Sequence, residues 1–299
     1  MRKTNGYHAL GVQFVEALFR ADGRSAPEIL SLVVERQKKS IDVLLIINER
    51  LAVCIEDKAG SIEHSGQLAR YFESLTRRFT AADIVRVYVQ TFEQGTYEAV
   101  RGAGYALVSR KELIAILKPY ALSPEPNDIA RDFYSRLTSI DHDVESYRHQ
   151  PVSTKWSPLA WQGFFCALQL RLPGGMWGYV PNRAGGFQGY WWYWKKAQGC
   201  EQYLQLEEET LCFKISVNQP ETRAELRNAW PARLIEAGRA EALDVTRPRR
   251  LRSGQAMTVA VLAADYRATD NAGLIDMEAT VARLRKAETV LDRASANNA

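Results

Sequence analysis

Cysteine is scarce in this sequence, and its spacing serves neither a disulfide framework nor a zinc site. The 299 residues include four cysteines without any Cys-x-x-Cys pair, at positions Cys54, Cys166, Cys200 and Cys212. Scattered cysteines of this kind argue against a chain held together by disulfides or by zinc. The four histidines also lack the spacing of metal ligands. A reducing cytoplasm is the simplest expected location.

Long apolar runs are absent as well. No stretch approaches the roughly 18 apolar residues of a membrane span, and the first six residues lack the apolar core of a secretory signal. Repeats and low-complexity tracts are not visible. The charged fraction of 25% and the hydrophobic fraction of 46% are ordinary for globular proteins. We therefore expect a globular protein with no membrane partner and with room for two domains.

The most informative segment of the sequence is residues 41–58, IDVLLIINERLAVCIEDK. Two apolar runs flank the polar residues 48–50, which predicts a β-hairpin in which Ile47 faces Leu51. Side chains alternate between the faces of a strand, so this register gives two apolar faces, and both should be covered by other elements. One face would carry Val43, Leu45, Ile47, Leu51, Val53 and Ile55, and the other Leu44, Ile46, Ala52 and Cys54.

Charged residues at the open end of this hairpin should meet on one face. Counting back from the turn sets Asp42 opposite Glu56, about 5 Å apart, with Lys58 on the same face and Asp57 on the other. Like charges at this distance repel, so a divalent cation should lie between the carboxylates. A surface hairpin with an ordinary ion pair is the alternative, but charges at the ends of a covered hairpin need partners. The register therefore predicts a metal site.

These residues resemble the PD-(D/E)XK nuclease superfamily. Its motif is an acid on one strand followed by Glu/Asp-x-Lys on the next, here Asp42 and Glu56-x-Lys58. Gln67 and Tyr71, on a helix predicted from Ser61 to Leu75, are similar to the Gln-x-x-x-Tyr motif of one branch. The resemblance covers about residues 8 to 120 and implies an α/β fold with a mixed central sheet flanked by helices, the restriction-endonuclease-like core.

The resemblance also implies a chemistry. Asp42 and Glu56 would hold one or two Mg²⁺ ions, for which Mn²⁺ can substitute, and the backbone carbonyl of Asp57 would be a further ligand. Lys58 would orient or deprotonate the attacking water and neutralise charge on the phosphorus. Gln67 and Tyr71 would position these groups or touch the substrate.

An additional acid on the first helix is frequent in this superfamily. Glu16 is the candidate, because it lies in the amphipathic helix predicted for residues 12–19. Glu35, seven residues before Asp42, is the alternative.

A Mg²⁺-dependent nuclease acting on DNA is the function that the resemblance implies. The resemblance also suggests a role in bacterial defence against phage or mobile elements. A homodimer or a complex with a partner subunit is expected as an assembly. A nuclease acting on RNA or on a particular structure is an alternative. A catalytically inactive nucleic-acid-binding or scaffold protein is another, although the intact Asp42, Glu56 and Lys58 argue against it.

Three regions are expected along the chain: the nuclease domain at 1–120, a helical connector at 121–150, and a β-rich domain at 151–299. In the first, a strand at 84–92, a helix at 94–102, a strand at 105–109 and a helix at 110–118 should follow the hairpin and the Gln-Tyr helix. Asp128 should cap a helix at 129–139. The third region should contain strands near 203–207, 211–217 and 257–263 and end in a helix at 277–293.

Two features of the third region have open interpretations. Five consecutive aromatic residues, at 190–194, precede Lys195 and Lys196. They predict a strand that is half core and half interface, or a surface on which bases stack. Four arginines cluster at 247–252, either as a nucleic-acid contact or as a solvated surface.

Overall fold

A computed structural model describes residues 7–38, 41–58, 66–124, 128–182, 185–197 and 199–296 of the chain. The chain divides into two compact units, Met1–His142 and Asp143–Ala299. The division falls inside one helix, Asp128–Glu145. Among the described residues, no helix is both long enough and apolar enough to cross a membrane.

The first unit contains a mixed five-stranded sheet in the order β1-β2-β3-β4-β5. Strands β1 to β3 are antiparallel, whereas β4 and β5 run parallel to β3. This is the expected mixed α/β fold, with one strand more than the sequence predicted, because β1 precedes the hairpin. The strands are β1 Leu32–Lys38, β2 Ile41–Ile47, β3 Leu51–Lys58, β4 Ile84–Gln90 and β5 Ala106–Ser109.

The β2–β3 hairpin has the predicted register, with Ile47 paired to Leu51 and Val43 paired to Ile55. Asn48 and Glu49 in the turn adopt positive φ angles of 51° and 58°, a conformation that asparagine tolerates better than most residues. The Asn48 side chain accepts hydrogen bonds from two backbone N–H groups at 2.9 and 3.0 Å and donates one of 2.8 Å to a carbonyl. All three partners lie in residues 28–31, so this side chain ties the turn to the segment that precedes β1.

Both faces of the hairpin are covered, as its apolar alternation predicts. Leu45, Val53 and Ile55 belong to one core cluster, together with residues of the first helix. Leu44, Ala52 and Cys54 belong to the other, with residues of the helix after β3. The side chains that alternate along the hairpin therefore pack against two layers of helices, one on each face of the sheet.

The helices of this unit are α1 Tyr7–Ala21, α2 Gln67–Leu75, α3 Glu98–Gly102, α4 Arg110–Ala121 and α5 Asp128–Glu145. The start predicted for α2, residues 61–65, lies outside the described residues. Helix α4 begins with a capping box between Ser109 and Glu112, the arrangement that satisfies free N–H groups at a helix start. Buried Arg110 ties α4 to the loop after β4 and to α5 through Glu93 at 2.8 Å and Asp141 at 3.0 Å.

The second unit contains a fully antiparallel sheet in the order β10-β11-β9-β8-β7-β6. Its strands are β6 Met176–Val180, β7 Phe187–Ala197, β8 Cys200–Glu207, β9 Thr210–Ser216, β10 Val245–Thr246 and β11 Ala256–Leu262. The expected strands appear here as β7, β8, β9 and β11. One face of this sheet carries the residues that form the core of the unit, among them Leu204, Phe213 and Val259.

Three helices contribute to that core: α6 Pro158–Gln169, α7 Arg223–Ala240 and α8 Met277–Ala296. Only α8 was predicted. Helix α6 begins at the Ser157 cap followed by Pro158, a signal that the sequence does contain. Helix α7 has Pro231 in its interior and almost no amphipathic pattern, so its apolar spacing does not predict it.

The aromatic residues of β7 do not alternate regularly. Tyr190 and Trp192 are buried in the core. A β-bulge then interrupts the pairing with β8 between Trp192 and Lys195, and Tyr193 within it has a φ of +58°. Because one extra residue reverses the facing of the side chains that follow, Trp194 leaves the core face. It stacks on Tyr203 with ring centroids 4.0 Å apart and stays 50% exposed.

Candidate active site

The register of β2 and β3 places Asp42 and Glu56 as the next opposed pair after Val43 and Ile55. The carboxylate of Asp42 accepts a hydrogen bond of 3.0 Å from the backbone N–H of Asp57. This contact ties the end of β2 to β3 beside Glu56. The two carboxylates thus lie at the open end of the hairpin, on the face that α2 covers.

Glu56 is fully buried, which is unusual for a carboxylate without compensating partners. Its Oε1 accepts hydrogen bonds from Lys58 Nζ at 2.6 Å and from Gln67 Nε2 at 3.0 Å. Its Oε2 is buried and has no hydrogen-bond partner among the described residues. Burial raises the pKa of Glu56, Lys58 opposes that rise, and repulsion from Asp42 adds to it. A cation bound at this site could therefore be coordinated by Glu56 Oε2.

Lys58 lies two residues beyond Glu56 and on the same face, as predicted. Burial by itself would lower the pKa of Lys58, but the hydrogen bond to Glu56 and the charges of Glu56 and Asp42 outweigh burial, so its pKa is raised. In this arrangement Lys58 donates its hydrogen bond to Glu56.

Gln67 and Tyr71 lie one turn apart on α2 and meet at the site. The Gln67 amide donates to Glu56 Oε1 and also to the hydroxyl of Tyr71. Tyr71 is buried and its ring packs in the core between α2 and the sheet, and burial raises the pKa of its hydroxyl. The i, i+4 spacing of these two residues is what aims both at Glu56.

Asp57 points away from this cluster. Its side chain lines a groove of about 580 Å³ on the opposite face of the sheet, together with Ile55 and Phe14. Burial raises the pKa of Asp57, Asp42 adds to the rise and Lys58 opposes it. Only the backbone of Asp57 therefore faces Asp42.

The two candidates for an additional acid lie in different places. Glu16 is exposed on α1 and lines a separate cleft with Arg20 and Glu112. Glu35 pairs with Leu44 in the register of β1 and β2. Because residues two apart on a strand share a face, Glu35 lies on the same face as Asp42, diagonally across one strand boundary. The structure therefore favours Glu35 over Glu16 as a neighbour of the site.

Three residues of the site are missing from the sequence-based prediction. In the parallel pairing of β3 with β4, Tyr88 lies beside Glu56 and Gln90 beside Lys58. Gln94, in the loop after β4, donates to the Tyr88 hydroxyl at 2.7 Å and to the side-chain amide oxygen Oε1 of Gln90. The amide nitrogen of Gln90 is buried without a hydrogen-bond acceptor in the described part of the chain. The spacing of Gln90 and Gln94 by four residues is the only sequence signal, and it carries no function by itself.

The donor set fits a hard divalent cation. Among the described residues, no group of three or more Asp, Glu, His or Cys side chains could hold a metal ion. Asp42 and Glu56 are the two carboxylates at the open end of the hairpin. Mg²⁺ suits such a site, because it keeps several waters and uses one or two carboxylates together with substrate phosphate. The unpartnered Oε2 of Glu56 agrees with this fit.

Comparison with known proteins gives the same family as the motifs. A family model described as the PD-(D/E)XK nuclease superfamily matches residues 17–151. No curated protein matches the chain, and no solved structure matches it. The matched segment includes the whole five-stranded sheet and the cluster around Glu56. Over residues 17–151, a little under half of the chain, this protein is therefore similar to the PD-(D/E)XK nuclease superfamily.

Proposed function

We propose that this protein is a Mg²⁺-dependent nuclease that hydrolyses phosphodiester bonds in DNA. The observation that carries the proposal is the state of Glu56: one carboxylate oxygen is held by Lys58 and Gln67, and the other is buried without a partner. A buried carboxylate with only one of its oxygens hydrogen-bonded lowers the stability of the fold, so its presence indicates a functional role.

Asp42 and Glu56 would hold the cation, with the backbone carbonyl of Asp57 as a further ligand. Mn²⁺, which also takes carboxylate and carbonyl oxygens, can replace Mg²⁺ in such a set. When bound, the cation supplies positive charge that polarises the phosphodiester and stabilises charge in the transition state.

Lys58 acts beside the cation as a fixed positive charge. Its ammonium group, oriented by Glu56, donates to a phosphate oxygen and neutralises charge that develops on the phosphorus. Gln67 holds Glu56 in place from α2, and Tyr71 holds Gln67. A variant that loses the Gln67 amide therefore loosens the carboxylate without removing it.

Gln90 adds a hydrogen-bond donor on the same face. Gln90 pairs with Lys58 in the register of β3 and β4, and Gln94 orients its side-chain amide from the loop. The Gln90 Nε2 group has no acceptor among the described residues. We assign it to a phosphate oxygen of the substrate, because a buried donor without an acceptor is costly unless a ligand supplies one.

The test is cleavage by the purified full chain of plasmid, linear duplex and single-stranded DNA and of RNA, each with Mg²⁺, Mn²⁺ or EDTA. Cleavage of DNA that needs the metal is the expected result. Glu56→Gln keeps the size of the side chain and removes its charge, so cleavage should fall by more than about 100-fold, while DNA affinity holds or rises. Glu73→Gln, an exposed change on α2, is the matched control.

Two outcomes contradict the proposal. Equal cleavage by wild type and Glu56→Gln would assign the activity to a contaminant or to another site. Tight binding of nucleic acid without cleavage under any metal condition would favour the inactive binding or scaffold protein. Cleavage of RNA alone would correct the substrate and leave the mechanism standing.

A role in bacterial defence against phage or mobile elements belongs to the same proposal and rests on the resemblance. Cells that express the wild-type chain should survive phage challenge better than cells that express Glu56→Gln. Equal survival of the two would remove this role.

A further inference from the structure

Unpaired arginines follow one edge of the second sheet. The chain leaves β10 at Thr246, which pairs with Val261, and re-enters the sheet at Ala256. It thus returns along the outer edge of β11. This loop contains four exposed arginines and no acidic residue: Arg247, Arg249, Arg250 and Arg252.

These arginines differ from most of the other described arginines of the unit. In the described part of the chain, none of the four makes a hydrogen bond or an ion pair. By contrast, other arginines of the unit hold a carboxylate or a backbone carbonyl: Arg148, Arg171, Arg223, Arg267, Arg283 and Arg293. A guanidinium group is weakly hydrated and matches phosphate in shape, so an unpaired row of them suits a polyanion.

An exposed aromatic ring lies across the same end of the sheet. Ala256 pairs with Ser216, Ser216 with Glu201, and Glu201 with Lys196. Three strand spacings, about 15 Å, therefore separate the start of β11 from the end of β7. Trp194 stands two residues before Lys196.

The β-bulge is what makes this tryptophan available. In a regular strand Trp194 would share the core face with Trp192, but the extra residue turns it outward onto Tyr203. The positive φ of Tyr193 costs about 1 kcal/mol for a residue other than glycine. The bulge is therefore a conformation that the rest of the unit must stabilise. An exposed ring backed by a second ring is a platform on which a base can stack.

The local charge is positive after its acids are counted. Lys195 is held by Asp292 at 3.0 Å, and Glu201 lies opposite Lys196. The four arginines of the loop remain as the surplus. Charge and ring together fit a nucleic-acid strand better than a protein surface, because every phosphate is an acceptor and every base has a face to stack.

We propose that the second unit binds single-stranded nucleic acid across this end of the sheet, with phosphates on the arginines of the 247–252 loop and a base on Trp194. The proposal rests on the proposed nuclease function for its biological sense, since the bound strand would belong to the substrate. Nothing in the contact itself requires cleavage.

The test measures binding of fluorescein-labelled single-stranded DNA, single-stranded RNA and duplex DNA by the full chain carrying Glu56→Gln, in EDTA, over a range of salt. The loop variant is Arg249→Gln/Arg250→Gln/Arg252→Gln. Its matched control, Lys155→Gln/Arg285→Gln/Lys286→Gln, removes the same charge from exposed positions elsewhere in the unit.

Three lost phosphate contacts should reduce the slope of log K against log salt by about 2 for a single strand, and the control should leave the slope unchanged. Trp194→Ala should weaken single-strand binding about tenfold, and Trp194→Phe should keep most of it. Tyr179→Ala, at a ring that is 58% exposed, is the aromatic control. Single-stranded DNA and RNA should bind alike, because neither phosphates nor base faces distinguish them.

Equal effects of the loop variant and its control would overturn the proposal, since net charge alone would then explain binding. Stronger binding of duplex than of single strands would overturn it too. The loop variant decides the question even if Trp194→Ala fails to fold. Binding that shows the expected pattern in a protein that never cleaves would uphold this surface and reject the nuclease, whereas cleavage without any effect of the loop would do the reverse.

Discussion

Two antiparallel hairpins in this chain differ by one residue of register. In β2–β3 the strands pair two for two from Ile47 and Leu51 onward, so alternation in the sequence assigns each side chain to a face. In β7–β8 one extra residue lies between Trp192 and Lys195, and alternation fails beyond it. The regular hairpin gathers charges on one covered face, whereas the bulged one sends an aromatic ring into solvent.

The difference also appears in where each hairpin places its unusual backbone. The positive φ angles of β2–β3 lie in its turn, at Asn48 and Glu49, where a local hydrogen-bonded side chain supports them. That of β7–β8 lies within the strand, at Tyr193. Two contacts hold Tyr193 there. Its hydroxyl donates to Asp292 of α8 at 2.6 Å, and the ammonium group of Lys195, on the same strand, lies over its ring.

Loss of Lys58 should give the largest effect, because the regular hairpin places this residue at the centre of the site. Lys58→Ala should reduce cleavage by more than about 100-fold while metal binding is retained, since the carboxylates remain. Lys118→Ala, an exposed change on α4, is the control. Steady-state cleavage and calorimetric Mn²⁺ titration measure the two quantities. Loss of metal binding along with activity would mean that Lys58 supports the carboxylates rather than the reaction.

The aromatic run on β7 should split into two classes of stability. Trp192→Ala removes a buried ring and its hydrogen bond to Glu288, so the free energy of unfolding should fall by about 3–5 kcal/mol. Trp194→Ala should cost less than about 1 kcal/mol, because its ring is half exposed. Urea denaturation measures both variants. Similar losses at the two positions would show that the bulge does not separate them.

Substitution of Gln90 tests whether β4, the strand parallel to β3, contributes a residue to the reaction. Gln90→Leu keeps the volume and removes the amide, so kcat should fall about 10- to 100-fold. The free energy of unfolding should change by less than about 1 kcal/mol, because an unpaired buried donor is removed along with one hydrogen bond. Gln90→Glu, which turns the donor into an acceptor, should reduce kcat at least as much. Unchanged kcat with lowered stability would make Gln90 a purely structural residue.

The turn of the regular hairpin should give the smallest effect. Asn48→Gly keeps the backbone angle and loses three exposed hydrogen bonds, so it should cost about 1 kcal/mol. Asn48→Ala also loses the conformational tolerance and should cost about 1 kcal/mol more. Thermal unfolding compares the two variants. Equal losses would indicate that the hydrogen bonds to residues 28–31 alone hold the turn.

Sequence reasoning works for the β2–β3 hairpin because the information there is local. A three-residue turn fixes the register of the two strands, and the register assigns each side chain to one face of the sheet. Because both faces carry apolar residues, the sequence predicts a layer of helices on each face. Gln67 and Tyr71 are identified by their resemblance to the Gln-x-x-x-Tyr motif, and helical spacing then predicts that they share a face. Sequence reasoning does not find α7, where an interior Pro231 and a weak apolar pattern hide a helix that tertiary packing of Trp230 and Leu234 stabilises.

Contacts that depend on pairing between distant strands cannot be predicted from local patterns in the sequence. Gln90 reaches Lys58 only because α2 returns the chain so that β4 runs parallel to β3, and the sequence does not state that register. Glu35 and Glu16 show the same limit, because only the pairing of β1 with β2 brings Glu35 to the face of Asp42.

The sequence by itself determined the motif residues Asp42, Glu56 and Lys58, their common face, and the alternation that buries the hairpin, because turn length and period-two geometry act within a few residues. Tertiary structure alone decided that Glu56 is buried with one oxygen unsatisfied, that Gln90 lies beside Lys58, and that a bulge turns Trp194 outward. These features depend on which distant segments pack together, and the free energy of that packing is not written in any local pattern.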